Sequence, residues 1–346
     1  MISIQLDIVI PNFNGKAFLK DCLASLQHQS FQDFRVIVVD NGSTDGSLEL
    51  LRRDYPEVEL IAWDENRGFS VAVNAGIAHS SAPLVFLLNN DTELDAQCLA
   101  ELVRTAAEKP EFDFFAAKML NYHDHSCLDG AGEAFLRGGV GYRLGTMEQD
   151  AVCYSTPRQV FGACAGAALY RQEFFVELGC FDEDFFAYLE DVDLNLRANS
   201  RGRKCWYVPE ARVYHIGSAT TGSKINPFTV RLSTRNNFCI LIKNYPFVLL
   251  FRFAPAICVY QFFWLCFVLK KRQFGAYWGG IVQFIKIMPL MLAKRKETLG
   301  LATVDTRELG VIMQKAEDEV LQSIMRRRDA AKRSNRLFSL YRRLFL

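Results

Sequence analysis

The chain has 346 residues, half of them hydrophobic, and a formal net charge of +1. That much apolar material excludes disorder as the main state and can bury one large core or two modest ones. A charge so near zero gives the chain as a whole no nucleic-acid signature, and its ten cysteines, with no CxxC pair, read as small buried hydrophobes in a reducing compartment.

The amino terminus, MISIQLDIVIPNFNG, has no basic stretch ahead of its apolar residues, so no cleaved signal peptide is expected and the chain is expected to stay in the cytoplasm. Residues 6–10 read as a strand ending at Pro11 and Asn12, after which Leu19, Cys22, Leu23 and Leu26 keep helical spacing. A second apolar strand over 34–39 ends at Asp40-Asn41-Gly42-Ser43, with Ser43 or Thr44 placed to cap the helix carrying Leu48 and Leu51. A third strand over 57–62 and a third helix over 68–78 follow. The uncharged run 83–88 reads as a strand covered on both faces, and it stops at Asn89, Asn90 and Asp91. A helix over 97–107 completes a β-α-β-α-β-α-β-α series, which predicts an α/β fold with a mostly parallel sheet and right-handed crossovers. In such sheets ligands gather at the carboxyl edge, which is where Asn89, Asn90 and Asp91 fall. One carboxylate between amides suits a hard divalent cation, Mg²⁺ or Mn²⁺, that keeps its other ligands from water and phosphate. In isolation the same residues make an ordinary Asn-Asp turn.

Beyond Phe112 the alternation loosens. Residues 121–157 are rich in Gly, His and Asp and suggest hairpins and a mobile loop. The run FGACAGAALYR restores order with small residues that let backbone or ligand approach closely, and a helix from Gln172 ends at Gly179. Strands over 204–208 and 212–215 close the domain near Gly217. Between them and Gly179 lies FDEDFFAYLEDVDLNLRA, an acidic segment running into a helix. On that helix Glu190 and Asp191 are about 100° apart and Asp193 lies nearly opposite Asp191, while Leu189, Val192 and Leu196 mark the buried side. A solvated acidic helix start is the plain reading of such a cluster. The aromatics Phe185, Phe186 and Tyr188 favour another, because desolvation raises a carboxylate's pKa toward what a general base needs.

The strings PNFNG, VVDNGSTDGS, NRGFSVAVNAGI, LLNNDT and GCFDEDFFAYLEDVDLNLR with YHIGS resemble the family 2 glycosyltransferases of GT-A fold over roughly residues 4–245. The NND variant and the LEDVDL context are most similar to bacterial rhamnosyltransferases acting on polyprenyl-diphosphate-linked sugars. What the resemblance implies can be laid on single residues. Asp40 would accept a hydrogen bond from the pyrimidine of a dTDP or UDP sugar, in a pocket shaped by Pro11, Asn12 and Asn14. Arg67 would lie near base and diphosphate, Asn74 would support its loop, and Asn90 would belong to the same nucleotide-sugar site. Asp91, with His215 as a further ligand, would hold the divalent cation, and Asn89 replaces the first Asp of the family's DxD. Asp191 would be the general base of an inverting transfer, with Glu190 in support.

After Tyr245 the chain changes character. Residues 247–269 are almost wholly apolar but interrupted by Arg252, Pro255 and Gln261, so no clean run of the roughly 20 residues that a spanning helix needs is expected, and a single short spanning helix over 253–269 is left open against one lying in the membrane plane. Residues 276–293 mix apolar and aromatic residues between the clusters Lys270-Lys271-Arg272 and Lys294-Arg295-Lys296, a pattern suited to the plane of an anionic membrane. From Arg326 to Leu346 there are eight basic residues and one acidic, with Leu337, Leu340, Tyr341 and Leu344 on one side, as in a basic amphipathic anchor. The expected organisation is a GT-A catalytic domain over 1–245, membrane-associating helices over 246–297 and a helical segment with a basic tail over 298–346, peripherally attached to the cytoplasmic face of a bacterial inner membrane. The segment 308–325 could pack on the domain or on a second copy, which leaves a homo-oligomer open. No aromatic stacking platform accompanies the basic tail, so nucleic acid is not expected as a partner. The other readings are the same transfer from a UDP-hexose, a nucleotidyltransferase, for which PNFNGK supplies only Lys16 where a Gly-rich basic loop is wanted, and a non-catalytic nucleotide-sugar-binding subunit.

Overall fold

The structure is a computed structural model that describes residues 4–217 and 225–346; Ser218, the last residue of the YHIGS string, lies outside them. In chain order the elements are β1 (Leu6–Asn12), α1 (Lys16–Gln27), β2 (Phe34–Asn41), α2 (Ser47–Asp54), β3 (Glu59–Trp63), α3 (Phe69–His79), β4 (Leu84–Leu88), β5 (Thr92–Leu94) and α4 (Cys98–Glu108). They continue with β6 (Phe114–Asn121), β7 (Asp124–Ala131), β8 (Glu133–Leu136), β9 (Val140–Arg143), β10 (Arg158–Val160), β11 (Ala167–Arg171), α5 (Gln172–Leu178), α6 (Glu190–Ser200) and β12 (Cys205–His215). Five helices end the chain: α7 (Pro227–Asn244), α8 (Phe247–Lys270), α9 (Phe274–Gly300), α10 (Thr306–Ala330) and α11 (Arg336–Phe345). Two compact units result, built from interleaved rather than successive segments: Met1–Glu133, Gly145–Phe186 and Lys204–Gly222 form the first, and Ala134–Leu144, Ala187–Arg203 and Ser223–Leu346 the second.

The first unit is organised by one sheet in the order β10-β12-β6-β11-β4-β1-β2-β3. Strands β4, β1, β2 and β3 run parallel, as the alternating sequence requires. The second half is mixed: β11 lies antiparallel between β4 and β6, and β12 runs parallel to β6. From β1 the chain steps to β2 and β3 on one side and then returns to β4 on the other, so the strand order reverses between β1 and β4. Two expected strands over 204–208 and 212–215 are one, β12, with a register shift between Val208 and Arg212 against β6. The expected cap by Ser43 or Thr44 is replaced: α2 starts after Gly46, and Asp45 accepts from the Ser47 N–H and hydroxyl.

Asp7, the second residue of β1 and without solvent exposure, ties this half of the sheet together. Arg35 of β2 donates to both its oxygens at 2.8 and 2.9 Å, and the turn before β4 adds the Ser80 hydroxyl and the Ser81 and Ala82 N–H groups. Burial alone would raise this carboxyl's pKa, but these donors outweigh it and hold the group below the usual carboxylate range.

The second unit is helical apart from the β8–β9 hairpin. Its central α7 opens with Pro227 behind a capping box between Asn226 and Thr229, and α9 packs along it so closely that a Cβ on Gly280 would lie 2.6 Å from the Arg231 carbonyl oxygen. The residues that interrupt the apolar run of 247–269 do not interrupt the helix. Helix α8 runs unbroken through Pro255, with Gln261 donating to Asn237 and Arg252 to Gln314, so the polar residues serve as contacts rather than interruptions. By length and composition α8 and α9 are both long and apolar enough to cross a membrane.

The helix α11 is docked with its polar side inward. Tyr341 donates to Glu317 at 3.0 Å, Arg342 to Asp318 at 2.8 Å, and Arg137, itself paired with Glu317, donates to the Phe345 carbonyl. Leu337, Leu340 and Leu344 are left 55%, 53% and 66% exposed.

Because Asp7 is held ionised, its contribution is present above the unfolded Asp value and disappears as pH falls through the depressed native one. Urea unfolding of Asp7→Asn at neutral pH should therefore show a loss of about 3–5 kcal/mol, as for breaking one side of a buried ion pair. The gap to the parent should begin to narrow below about pH 4, where the carboxyl of the unfolded chain protonates, and should close once pH has fallen through the depressed native value.

Candidate active site

Asn12 at the end of β1 donates to Asp40 at 2.7 Å, and Asn90 after β4 donates to Asn12 at 2.7 Å. The second Asp40 oxygen accepts from the Ser43 N–H at 2.9 Å, so the ends of β1, β2 and β4 are joined in one hydrogen-bonded group. Asp40 has no exposed surface. Pro11 pairs in register with Val39, and Asn14, at φ 51°, accepts from the Thr44 N–H while its own N–H donates to the Ser43 hydroxyl. A Cβ on Gly15 would stand 2.0 Å from the Asn90 amide nitrogen and 2.5 Å from the Asn12 oxygen, so any side chain here would have to displace those two amides from their hydrogen bonds.

Asp91 follows directly. His215, the last residue of β12, is paired with Thr92 on one side and Asn121 on the other, which brings its ring to the same place. Its Nε2 lies 3.3 Å from an Asp91 oxygen, and its Nδ1 lies 2.7 Å from Asp129 on β7. Burial would lower this imidazole's pKa, but Asp129 and Asp91 outweigh it and raise the group above its ordinary value. Asp129 escaped the sequence reading. It sits in the Gly- and His-rich stretch that gave only a compositional signal, and irregular β6–β7 pairing sets its register. Among the described residues no group of three or more His, Cys, Asp or Glu could hold a metal unaided. The donor chemistry nevertheless fits a divalent cation completed by phosphate and water: one carboxylate and one imidazole whose far nitrogen is held by a second carboxylate. Asn89, in the first position of the acidic motif, lies against Gly166, where a Cβ would stand 2.9 Å from its amide nitrogen.

Arg67 is placed by Asn41 at the end of β2, whose side chain accepts from the Arg67 N–H and donates to Asn66 and the Gly68 carbonyl. The guanidinium stands 4.8 Å over Trp63 with its side chain 49% exposed. Gly68, at φ +96°, lies against Phe186, whose ring would stand 2.7 Å from a Cβ there. Asn74 does not support this loop as expected. It donates to the Phe181 carbonyl and Glu183 and accepts from the Phe181 N–H, so it braces the GCFDED segment with an amide already engaged at both ends.

In the second unit the acidic cluster divides by environment. Asp193 has no exposure and accepts from Arg197 and Lys243 at 2.9 Å and from Asn244 at 2.8 Å. Burial raises its pKa, but Lys243 and Arg197 outweigh it and hold the carboxyl far below the usual range. Glu190 is 7% exposed, one of its oxygens has no hydrogen-bond partner, and burial together with the Asp191 charge pushes it up to about 8. Asp191 is partly exposed and accepts from the Val192 N–H at the start of α6. The desolvation expected around these carboxylates thus falls on Glu190, and Asp191 keeps access to solvent.

With this geometry in view the relatives are informative. A sequence profile described as "Glycosyl transferase family 2" matches residues 7–179. The N-acetylglucosaminyl-diphospho-decaprenol L-rhamnosyltransferase of Mycobacterium tuberculosis is 28% identical over 239 residues, which covers 63% of this chain and 78% of that protein. The O-antigen biosynthesis protein RfbC of Myxococcus xanthus is 27% identical over 228 residues, which covers 62% of this chain and 18% of that protein. The crystal structure of GalNAc-T7 with UDP, GalNAc and Mn²⁺ superposes with a TM-score of 0.55 at 17% identity, covering 68% of this chain and 47% of that one, a likeness of fold. The profile match, together with the GT-A arrangement of the sheet, shows that the chain belongs to glycosyl transferase family 2.

Proposed function

We propose that this glycosyltransferase moves L-rhamnose from dTDP-rhamnose, with inversion, to a hydroxyl of a polyprenyl-diphosphate-linked saccharide during synthesis of a bacterial cell-envelope polysaccharide. The observation that carries the reading is the Asn12-Asp40-Asn90 group, set beside Asp91 and His215 where the strand order reverses. An open α/β sheet binds nucleotides at that reversal. The Mycobacterium tuberculosis relative supports the sugar and the lipid-linked acceptor through its name.

Transfer from a nucleoside diphosphate builds negative charge on the leaving diphosphate while the anomeric carbon becomes oxocarbenium-like. Asp91 and His215 would hold a divalent cation, Mg²⁺ or Mn²⁺, which supplies Lewis-acid stabilisation of that charge. Asp129 on Nδ1 fixes the imidazole so that Nε2 is the nitrogen offered. The exposed Arg67 guanidinium adds positive charge for the base and diphosphate end of the donor, and Pro11, Asn14 and the loop fixed by Asp40 shape the pocket. Asp191 takes the proton from the acceptor hydroxyl. Burial and the neighbouring Asp191 charge keep Glu190 protonated near neutral pH, so it supports Asp191 as a neutral neighbour.

The acceptor's lipid and the exposed apolar surface point to the same partner. Phe251 and Phe262 on α8, Trp278 and Ile285 on α9 and the outward leucines of α11 are all more than half exposed. With the basic residues around α11 they suit an anionic membrane surface at its cytoplasmic face.

A panel of nucleotide sugars with polyprenyl-diphosphate-GlcNAc should show consumption of dTDP-rhamnose; turnover with UDP-sugars alone would discard rhamnose and keep the reaction class. Asp191→Asn should lose transfer by about 10³-fold or more while calorimetry still shows dTDP binding. In Asp91→Ala, Mn²⁺ should no longer tighten dTDP binding; an undiminished Mn²⁺ effect would place the cation elsewhere. Cosedimentation with phosphatidylglycerol vesicles should weaken about tenfold in the double variant Leu340→Glu and Leu344→Glu, since two apolar anchors are lost.

A further inference from the structure

Four residues, Phe186 to Leu189, lead into the Glu190-Asp191 pair, and three of them are bulky residues at positive φ: Phe186 at 64°, Tyr188 at 68° and Leu189 at 66°. Sparsely populated backbone of this kind costs about 1–3 kcal/mol per residue, so the turn persists only if its surroundings impose it. Its carbonyls at 187 and 188 lie ahead of the helical ladder, where the Leu189 carbonyl is the one that accepts from the Asp193 N–H. Both are met by a single side chain. Asn236, fully buried on α7, donates its amide nitrogen to the Ala187 carbonyl at 2.9 Å and to the Tyr188 carbonyl at 2.7 Å.

The amide is itself oriented. Arg235 donates through Nε to the Asn236 side-chain oxygen at 2.8 Å, which turns the NH₂ toward the two carbonyls. Further along α7, Lys243 and Asn244 grip Asp193, so α6 is anchored to one helix both ahead of its first turn and within it. Asn237 offers a built-in comparison: it donates to the Gly138 and Gly139 carbonyls at 2.7 and 2.8 Å, the same device applied to the β8–β9 turn.

We propose that Asn236 is a positioning residue for transfer: by clamping successive carbonyls of a left-handed turn it sets the direction in which Glu190 and Asp191 leave the backbone. This rests on the reading of Asp191 as the base. No bond to substrate is required of Asn236. Its contribution belongs to the orientation of the pair, and displacement of a base by about 1 Å can cost roughly 100-fold in rate.

The test compares Asn236→Asp, which keeps the oxygen facing Arg235 but sets an acceptor against two carbonyls, with Asn237→Asp, the same change on the neighbouring clamp. Both are made in the full chain, with Asn236→Ala in reserve should Asn236→Asp not fold. With the nucleotide sugar that the panel identifies, Asn236→Asp should lower kcat by about 100-fold and leave donor KM and dTDP binding within about threefold. Hydrogen exchange should quicken in peptides spanning 187–192. Asn237→Asp should loosen peptides around 138–139 and keep kcat within about threefold of the parent. A near-parental kcat in Asn236→Asp, an equal loss in Asn237→Asp, or unchanged exchange at 187–192 would each overturn the proposal. Should Asp191→Asn turn over normally, the base assignment falls by itself, and exchange at 187–192 still decides whether the clamp exists.

Discussion

The hydrogen bonds from Asn90 to Asn12 and from Asn12 to Asp40 are the constraint on which the carboxyl edge of the sheet depends. Strands β1, β2 and β4 arrive there from separate parts of the chain, and each ends in a side chain able to donate or accept. Buried amides and carboxylates must be paired, and here they pair with one another, so satisfying them fixes the strand ends relative to each other. Gly15 completes the arrangement by letting the backbone of the β1–α1 turn lie directly on the two amides. A ligand meeting this edge meets a surface already held in place, which is what a site needs if binding is not to be offset by the cost of ordering it.

Buried carboxylates show how environment divides one residue chemistry into different tasks. Asp7 and Asp193 are both without exposure, and both are surrounded by cationic and neutral donors that keep them ionised. They are structural ties, one across the parallel strands and the other between α6 and α7. Glu190 is buried with the Asp191 charge as its neighbour, so it holds its proton. A fold stabilised for its own sake would pair or remove such a group, and an unpaired one at the start of a helix is the kind of cost that accumulates at working sites.

The helical unit reverses the usual rule for surfaces. Helix α11 turns Tyr341 and Arg342 toward Glu317 and Asp318 and leaves its leucines outward, α8 exposes Phe251, Phe262 and Phe263, and α9 exposes Trp278 and Ile285. Large apolar side chains left exposed in this number are consistent with association with a membrane.

The sequence by itself determined what depends on near neighbours. Apolar periodicity was enough for the parallel strands and their helices, and the strings around Asn12, Asp40 and Asp91 were enough for the family, since each motif is contiguous and its local geometry follows from it. Tertiary structure decided whatever depends on residues far apart. His215 meets Asp129 across 86 positions, Asn74 braces Phe181 across 107, and Asn236 reaches the turn at Ala187 across 49. No local spacing encodes such pairs, because the polar partner of a buried group is set by which elements the fold brings together. Pro255 is a further case, since a proline that reads as a break is carried within a helix whose neighbours hold it. Glu190 and Asp191 are adjacent and chemically alike; only the tertiary structure buries the first, which keeps its proton, and leaves the second partly exposed.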